Sequence, residues 1–194
     1  MKTYLKIILP IAAAAILAYA ALHFAGTAIL PALVGSAPAQ TDVVDPLDSS
    51  LIGKRAPSFD LPQVGGGRMR LADILGSPAV IVFWATWNKE SEDQLKILDD
   101  YMANEKGQAT LVRVVAIDSQ EDPSIVSSFM RRGGYSVPTL EDSFGDTSTA
   151  YGVKGLPKAY FIAKDGTISS IHGGILSEQD LVQKVEDLIG QGGI

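Results

Sequence analysis

The chain has no cysteine and only two histidines in 194 residues. The first absence excludes disulfide staples, thiolate nucleophiles and cysteine metal sites at once. It also leaves core packing as the source of stability. Scarcity of histidine narrows general-base catalysis and imidazole ligation, and His23 and His172 lie far apart in sequence. No His, Asp or Glu cluster has ligand spacing, so neither a metal nor any other cofactor is expected. Positive charge is also scarce. Residues 1–40 hold two lysines and no acid, leaving 14 basic and 22 acidic residues in 41–194. With no basic stripe, nucleic acid and anionic headgroups are not expected partners.

What is present is one long apolar run at the amino terminus. No charged residue occurs from Ile7 to Gly35, and Lys2 and Lys6 precede the run. About 20 apolar residues suffice to cross a bilayer as a helix. Residues 1–35 therefore read as a transmembrane anchor or a signal sequence. The leading lysines favour an amino terminus in the cytoplasm and a domain outside it. Cleavage near Ala39, after Ala37-Pro38-Ala39, is the alternative and would release a secreted domain. Residues 36–50 mix Ala, Pro, Gln, Asp and Ser without periodicity and read as a flexible linker. Residues 51–190 form one domain without repeats.

That domain is organised around Ala79–Ser91, AVIVFWATWNKES. Ala79–Phe83 reads as a strand buried on both faces, and Asn88–Asn104 as a long helix with Leu95, Leu98, Tyr101 and Met102 at helical spacing. Upstream, Phe59, Leu61, Met69 and Leu71 alternate around glycines 65–67, the pattern of a hairpin. Leu71–Leu75 gives one helical turn. Thr110–Ile117 is a second buried strand with Asp118 at its carboxyl end. Pro123–Arg132 starts on a first-turn proline and reads as helix. Val137–Leu140 is a short strand or connector, and Thr147–Tyr151 a short helix. Lys158–Ala163 and Thr167–His172 flank Asp165-Gly166, a strong hairpin signal. Ser177-Glu-Gln-Asp180 is a capping-box pattern that opens a final amphipathic helix.

Several residue types on this frame could carry chemistry. Ser91 as a hydrolytic nucleophile would need a base and an oxyanion hole. The domain's one histidine, His172, lies on the last hairpin, and Glu90 points a different way on the helix. A small residue at a helix start accounts for Ser91 better. Glycines 65–67 lack the lysine and the strand–loop–helix context of a phosphate loop. Asn88 is a good N-cap, and Glu90 and Glu92 complement the helix dipole.

The run FWATW before a helix, G-x-x-A-P-x-F-x-L near residue 53, and GVKGLPKAYFIAKDG over Gly152–Gly166 resemble the thioredoxin-like superfamily. The similarity is closest to its membrane-anchored TlpA, ResA and CcmG type, with redoxin (AhpC/TSA-like) character. It implies an α/β fold with a central mixed sheet flanked by helices and an N-terminal β-hairpin extension. It also implies that Pro157 is cis and that Leu156 lends backbone N–H and C=O to a substrate chain. On the family's W-C-x-x-C motif, Asn88 and Ser91 occupy the two cysteine positions. Thiol–disulfide exchange needs a thiolate, which neither residue can supply. No catalytic residue is therefore expected. The expected site is a binding face of Trp87, Asn88, Lys89, Glu90, Ser91, Leu156 and Pro157, with a protein or extended peptide of the cell envelope as partner. Trp84 reads as core. The alternatives are the family's thiol–disulfide oxidoreductase or antioxidant role, and a purely structural subunit of an envelope complex.

Overall fold

The computed structural model describes residues 50–104 and 111–190. The expected anchor, most of the linker and Thr110 lie outside the described residues. Among the described residues no helix is long and apolar enough to cross a membrane.

The centre is β3 (Ala79–Trp84), whose six residues are all buried. An uninterrupted Ala-Val-Ile-Val-Phe-Trp run has no polar side to give to water, so both of its faces need cover. Parallel to it runs β4 (Arg113–Ser119), and parallel to β4 runs the edge strand β5 (Thr139–Asp142). On the other side, β6 (Lys158–Ile162) and β7 (Ile168–Gly173) join antiparallel, giving the order β5-β4-β3-β6-β7. The hairpin turn at Asp165-Gly166 forms as its dipeptide predicts. Gly166 adopts φ 89°, where a side chain is disfavoured, and Thr167 N–H donates to the Asp165 carboxylate at 2.9 Å.

Helices cover the two faces. Val80, Val82 and Trp84 pack with Leu95 and Leu98 of α2 (Lys89–Asn104), Val126 of α3 (Pro123–Gly133) and Leu181 and Val185 of α5 (Glu178–Gly190). Each fully buried Val, Leu or Phe contributes about 1.5–3 kcal/mol relative to exposure. Ser177 caps α5 as its pattern predicts, accepting from Asp180 N–H at 3.1 Å. On the opposite face, Ile81 and Phe83 meet Phe59, Tyr151 and the one-turn helix α1 (Leu71–Ile74), which follows the hairpin β1 (Asp60–Pro62) and β2 (Arg68–Arg70). The short helix α4 (Asp146–Ala150) follows β5, with Asp142 accepting from Thr147 and Ser148 N–H at 3.2 and 2.7 Å. Tyr151 and Tyr160 are edge-on at 5.0 Å, and Tyr160 Oη donates to Tyr151 O at 2.6 Å.

The segment ahead of β1 straps the sheet. Gly53 N–H donates to Ile168 O and Ile168 N–H to Lys54 O, both at 2.8 Å, beside edge strand β7. At the opposite rim, Gln63 bridges Leu140 and Val64 N–H donates to Thr139 O at 2.9 Å.

Candidate functional site

Because β3, β4 and β5 are parallel, their carboxyl ends share one edge of the sheet, and antiparallel β6 begins there. That edge is the usual place for chemistry in an open sheet. Trp84 ends β3 fully buried, which makes it core. The chain turns through Ala85-Thr86-Trp87 into α2, with Asn88 N–H donating to Ala85 O at 3.2 Å.

Asn88 joins two parts of this turn. Its Oδ1 accepts from Ser91 N–H at 2.8 Å, the N-cap role its residue type suggests. Its Nδ2 donates to Leu156 O at 3.3 Å, across 68 residues. Leu156 precedes Pro157 through a cis peptide bond, as the resemblance implied. The carbonyl half of the expected Leu156 pairing edge is thus engaged by Asn88. Among the described residues nothing accepts from the Leu156 N–H.

The seven residues of the expected face do not all reach its surface. Trp87 is 70% exposed, and Lys89 and Glu90 are exposed beside it. Lys89 pairs with Asp93 on its own helix, which raises its ammonium pKa. Asn88 and Leu156 are half-buried, while Ser91 and Pro157 are buried and support the face from behind. The Ser91 hydroxyl has no hydrogen-bond partner, so no base stands ready to activate it. His172 lies on β7, its Nε2 3.2 Å from Ile175 O, two strands away from β3. Among the described residues no group of three or more His, Asp or Glu could hold a metal ion.

A second constellation beside the turn has little sequence signal. Glu121, in the loop after β4, accepts from both Thr86 N–H and Thr86 Oγ1 at 2.5 Å. Gln120 reaches this position with φ 65°, the one non-glycine positive φ among the described residues. Such a conformation costs about 1–2 kcal/mol for a residue with a side chain. Asp118, at the end of β4, is fully buried between Trp84 and Glu141 in register, and neither carboxylate oxygen has a hydrogen-bond partner. Burial first, and then the Glu121 carboxyl, push its pKa up to about 8. Burial and the Asp122 carboxylate raise Glu141 as well. Asp122 itself is held low by the Ser124 hydroxyl and N–H, so its charge persists at neutral pH. The one signal for Asp118 in the sequence is an acid closing an apolar strand. Nothing announces Glu121, 35 residues from Thr86.

Beside this edge, a groove of about 410 Å³ is bordered by Phe59, Leu61, Glu141, Phe144 and Asp146 among others. Phe144 is 90% exposed.

Comparison with known proteins gives this geometry a family. A model of the AhpC/TSA family matches residues 52–171. The thiol-disulfide oxidoreductase ResA of Bacillus thuringiensis subsp. konkukian is 31% identical over 129 residues, covering 66% of this chain and 73% of that protein. Among solved structures, a protein assigned as the thiol:disulfide interchange protein DsbE of Chlorobium tepidum superposes with TM-score 0.65 at 26% identity, covering 72% of this chain and 98% of that one. The exposed lipoprotein thioredoxin of Streptococcus pneumoniae strain TIGR4 gives TM-score 0.62 at 25% identity, over 68% and 100%. The first two are thiol–disulfide proteins by name, and this chain has no cysteine. It belongs to the AhpC/TSA family, on a thioredoxin-like fold.

Proposed function

We propose that this chain is a redox-inactive member of its family that binds protein or extended peptide, held at the membrane by its amino terminus with the domain outside the cytoplasm. One observation carries the reading: with no cysteine in the chain, the protein can form no mixed disulfide. Three features support a retained binding face. Trp87 offers a large amphipathic surface to solvent. The Leu156 N–H, without an acceptor among the described residues, would pair with a carbonyl of an extended chain, a short form of strand addition. Asn88 holds the α2 start against the Leu156 loop, so the face is ordered before a partner arrives. The apolar run after Lys2 and Lys6 supports the location, and one neighbour is named an exposed lipoprotein.

The test uses the full chain in detergent micelles, titrated with an unfolded polypeptide whose thiols are alkylated. Saturable binding is expected, with amide shifts at Trp87 and Leu156. Trp87→Ala should weaken binding by about tenfold or more, as for a buried aromatic anchor. An insulin-reduction assay of the same preparation should read zero. Disulfide reduction by the pure chain would overturn the reading, and so would binding indifferent to Trp87→Ala.

A further inference from the structure

The carboxyl edge of the sheet carries more than the Trp87 face, and its chemistry narrows the partner. Running along it, Leu156 stands at the start of β6, Trp87 beyond β3, Glu121 beyond β4, and Phe144 beyond β5. With strands about 4.8 Å apart, these four positions span about 15 Å, the reach of four or five residues of extended chain. Phe144 at one end and Trp87 toward the other are large aromatics left in water at 90% and 70% exposure. Between them the β4 and β5 ends carry Glu121, Asp122, Glu141 and Asp146, and the cation bordering the adjoining groove, Arg68, is paired with Asp60 at 2.7 Å. The lysines at this edge flank that stretch rather than interrupt it: Lys89 is paired with Asp93, Lys154 precedes Leu156, and Lys158 is buried at the start of β6.

We propose that this edge takes an extended polypeptide segment bearing basic residues, laid from Leu156 and Trp87 across Glu121 and Glu141 to Phe144. The inference rests on the binding reading given above and names the class of partner for that site.

An independent observation points to a missing cation. Asp118 is fully buried, with both carboxylate oxygens unpartnered, in register with Glu141 and against Glu121. A buried polar group without a partner costs about 1–3 kcal/mol. Burial first, then the neighbouring Glu121 and Glu141 carboxyls, raise the pKa of Asp118, burial and Asp122 raise that of Glu141, and no cation stands among the causes for either. A lysine or arginine side chain arriving over Glu121 and Glu141 would relieve that repulsion at the place where it is generated. Its apolar neighbour would meet Phe144 and the groove bordered by Phe59 and Leu61.

The test again uses the full chain in micelles. The probes are a short blocked peptide alternating lysine with leucine, and its counterpart with glutamate for each lysine. The lysine peptide should bind about tenfold tighter at low salt, and added salt should erode the difference. Amide shifts should extend from Trp87 and Leu156 through Glu121 and Asp122 to Phe144. Glu141→Gln and Phe144→Ala should each weaken the lysine peptide about threefold while leaving the unfolding midpoint unreduced. Equal affinity for the two peptides overturns the inference. So do shifts confined to Trp87 and Leu156 with both variants silent, and in either case the Trp87 reading stands. Absence of binding, or shifts that spare Trp87 and Leu156, overturns both.

Discussion

The start of α2 and the end of β4 are neighbours, yet they are built to opposite standards. At the helix start the cap is filled, acids sit in the first turn, and one amide side chain serves two backbone partners. At the β4 end, a residue with a side chain holds a positive φ, a carboxyl is buried without a partner, and acids crowd acids. Local rules are kept at the helix start, and broken a few ångströms of sheet away. Departures of that kind tend to gather at functional positions. In this chain the departures lie at the edge beside the helix start, not in the helix start itself.

The sharpest way to break the comparison is pH. Asp118 titrates near pH 8 in the folded state and about pH 4 unfolded, so between those values the native state binds the extra proton. Stability should therefore fall as pH rises through that window, by up to about 1.4 kcal/mol per unit, and level off above it. Denaturant melts from pH 5 to 9 would show the slope, and Asp118→Asn should flatten it. A flat profile in the unaltered chain would mean that the β4 end is not strained by its acids.

The next effect is on the well-made side. Asn88→Ala removes the cap and the Leu156 contact together, and should cost about 1–2 kcal/mol in chemical denaturation. Gln120→Gly works in the other direction. It releases the positive φ and should stabilise the fold by about 1 kcal/mol, less the added entropy of a glycine in the unfolded chain. Last, Lys89→Ala should leave the unfolding midpoint where it is, because the Lys89–Asp93 pair lies at the surface and is screened by solvent. A clear shift there would show that the helix start depends on surface charge as well as on its cap.

The sequence carries this fold unevenly. β3 and α2 were legible because an unbroken apolar strand followed by helical spacing admits few other arrangements. The β6–β7 hairpin and the α5 cap were legible from Asp165-Gly166 and Ser177-Glu-Gln-Asp180, whose backbone preferences are local. β5 was the weak point. Val137–Leu140 reads as a short strand or connector, whereas the strand is Thr139–Asp142, two residues later and ending on Asp142, whose carboxylate accepts from the first turn of α4. At the site, residue types identified Asn88 as a cap but could not show it holding Leu156 O, which depends on a cis peptide 68 residues away. The Glu121 clamp on Thr86 and the burial of Asp118 were invisible for the same reason. Each needs two strands to be laid side by side before the contact exists.

The strap of residues 53–64 has one more consequence. It lies along β7 at one rim and against β5 at the other, so neither outer strand presents a long bare backbone. Bare rims are where identical molecules stick together in crowded surroundings. A protease cut within the strap would uncover both rims at once, turning a folded domain into the seed of an aggregate without touching its core.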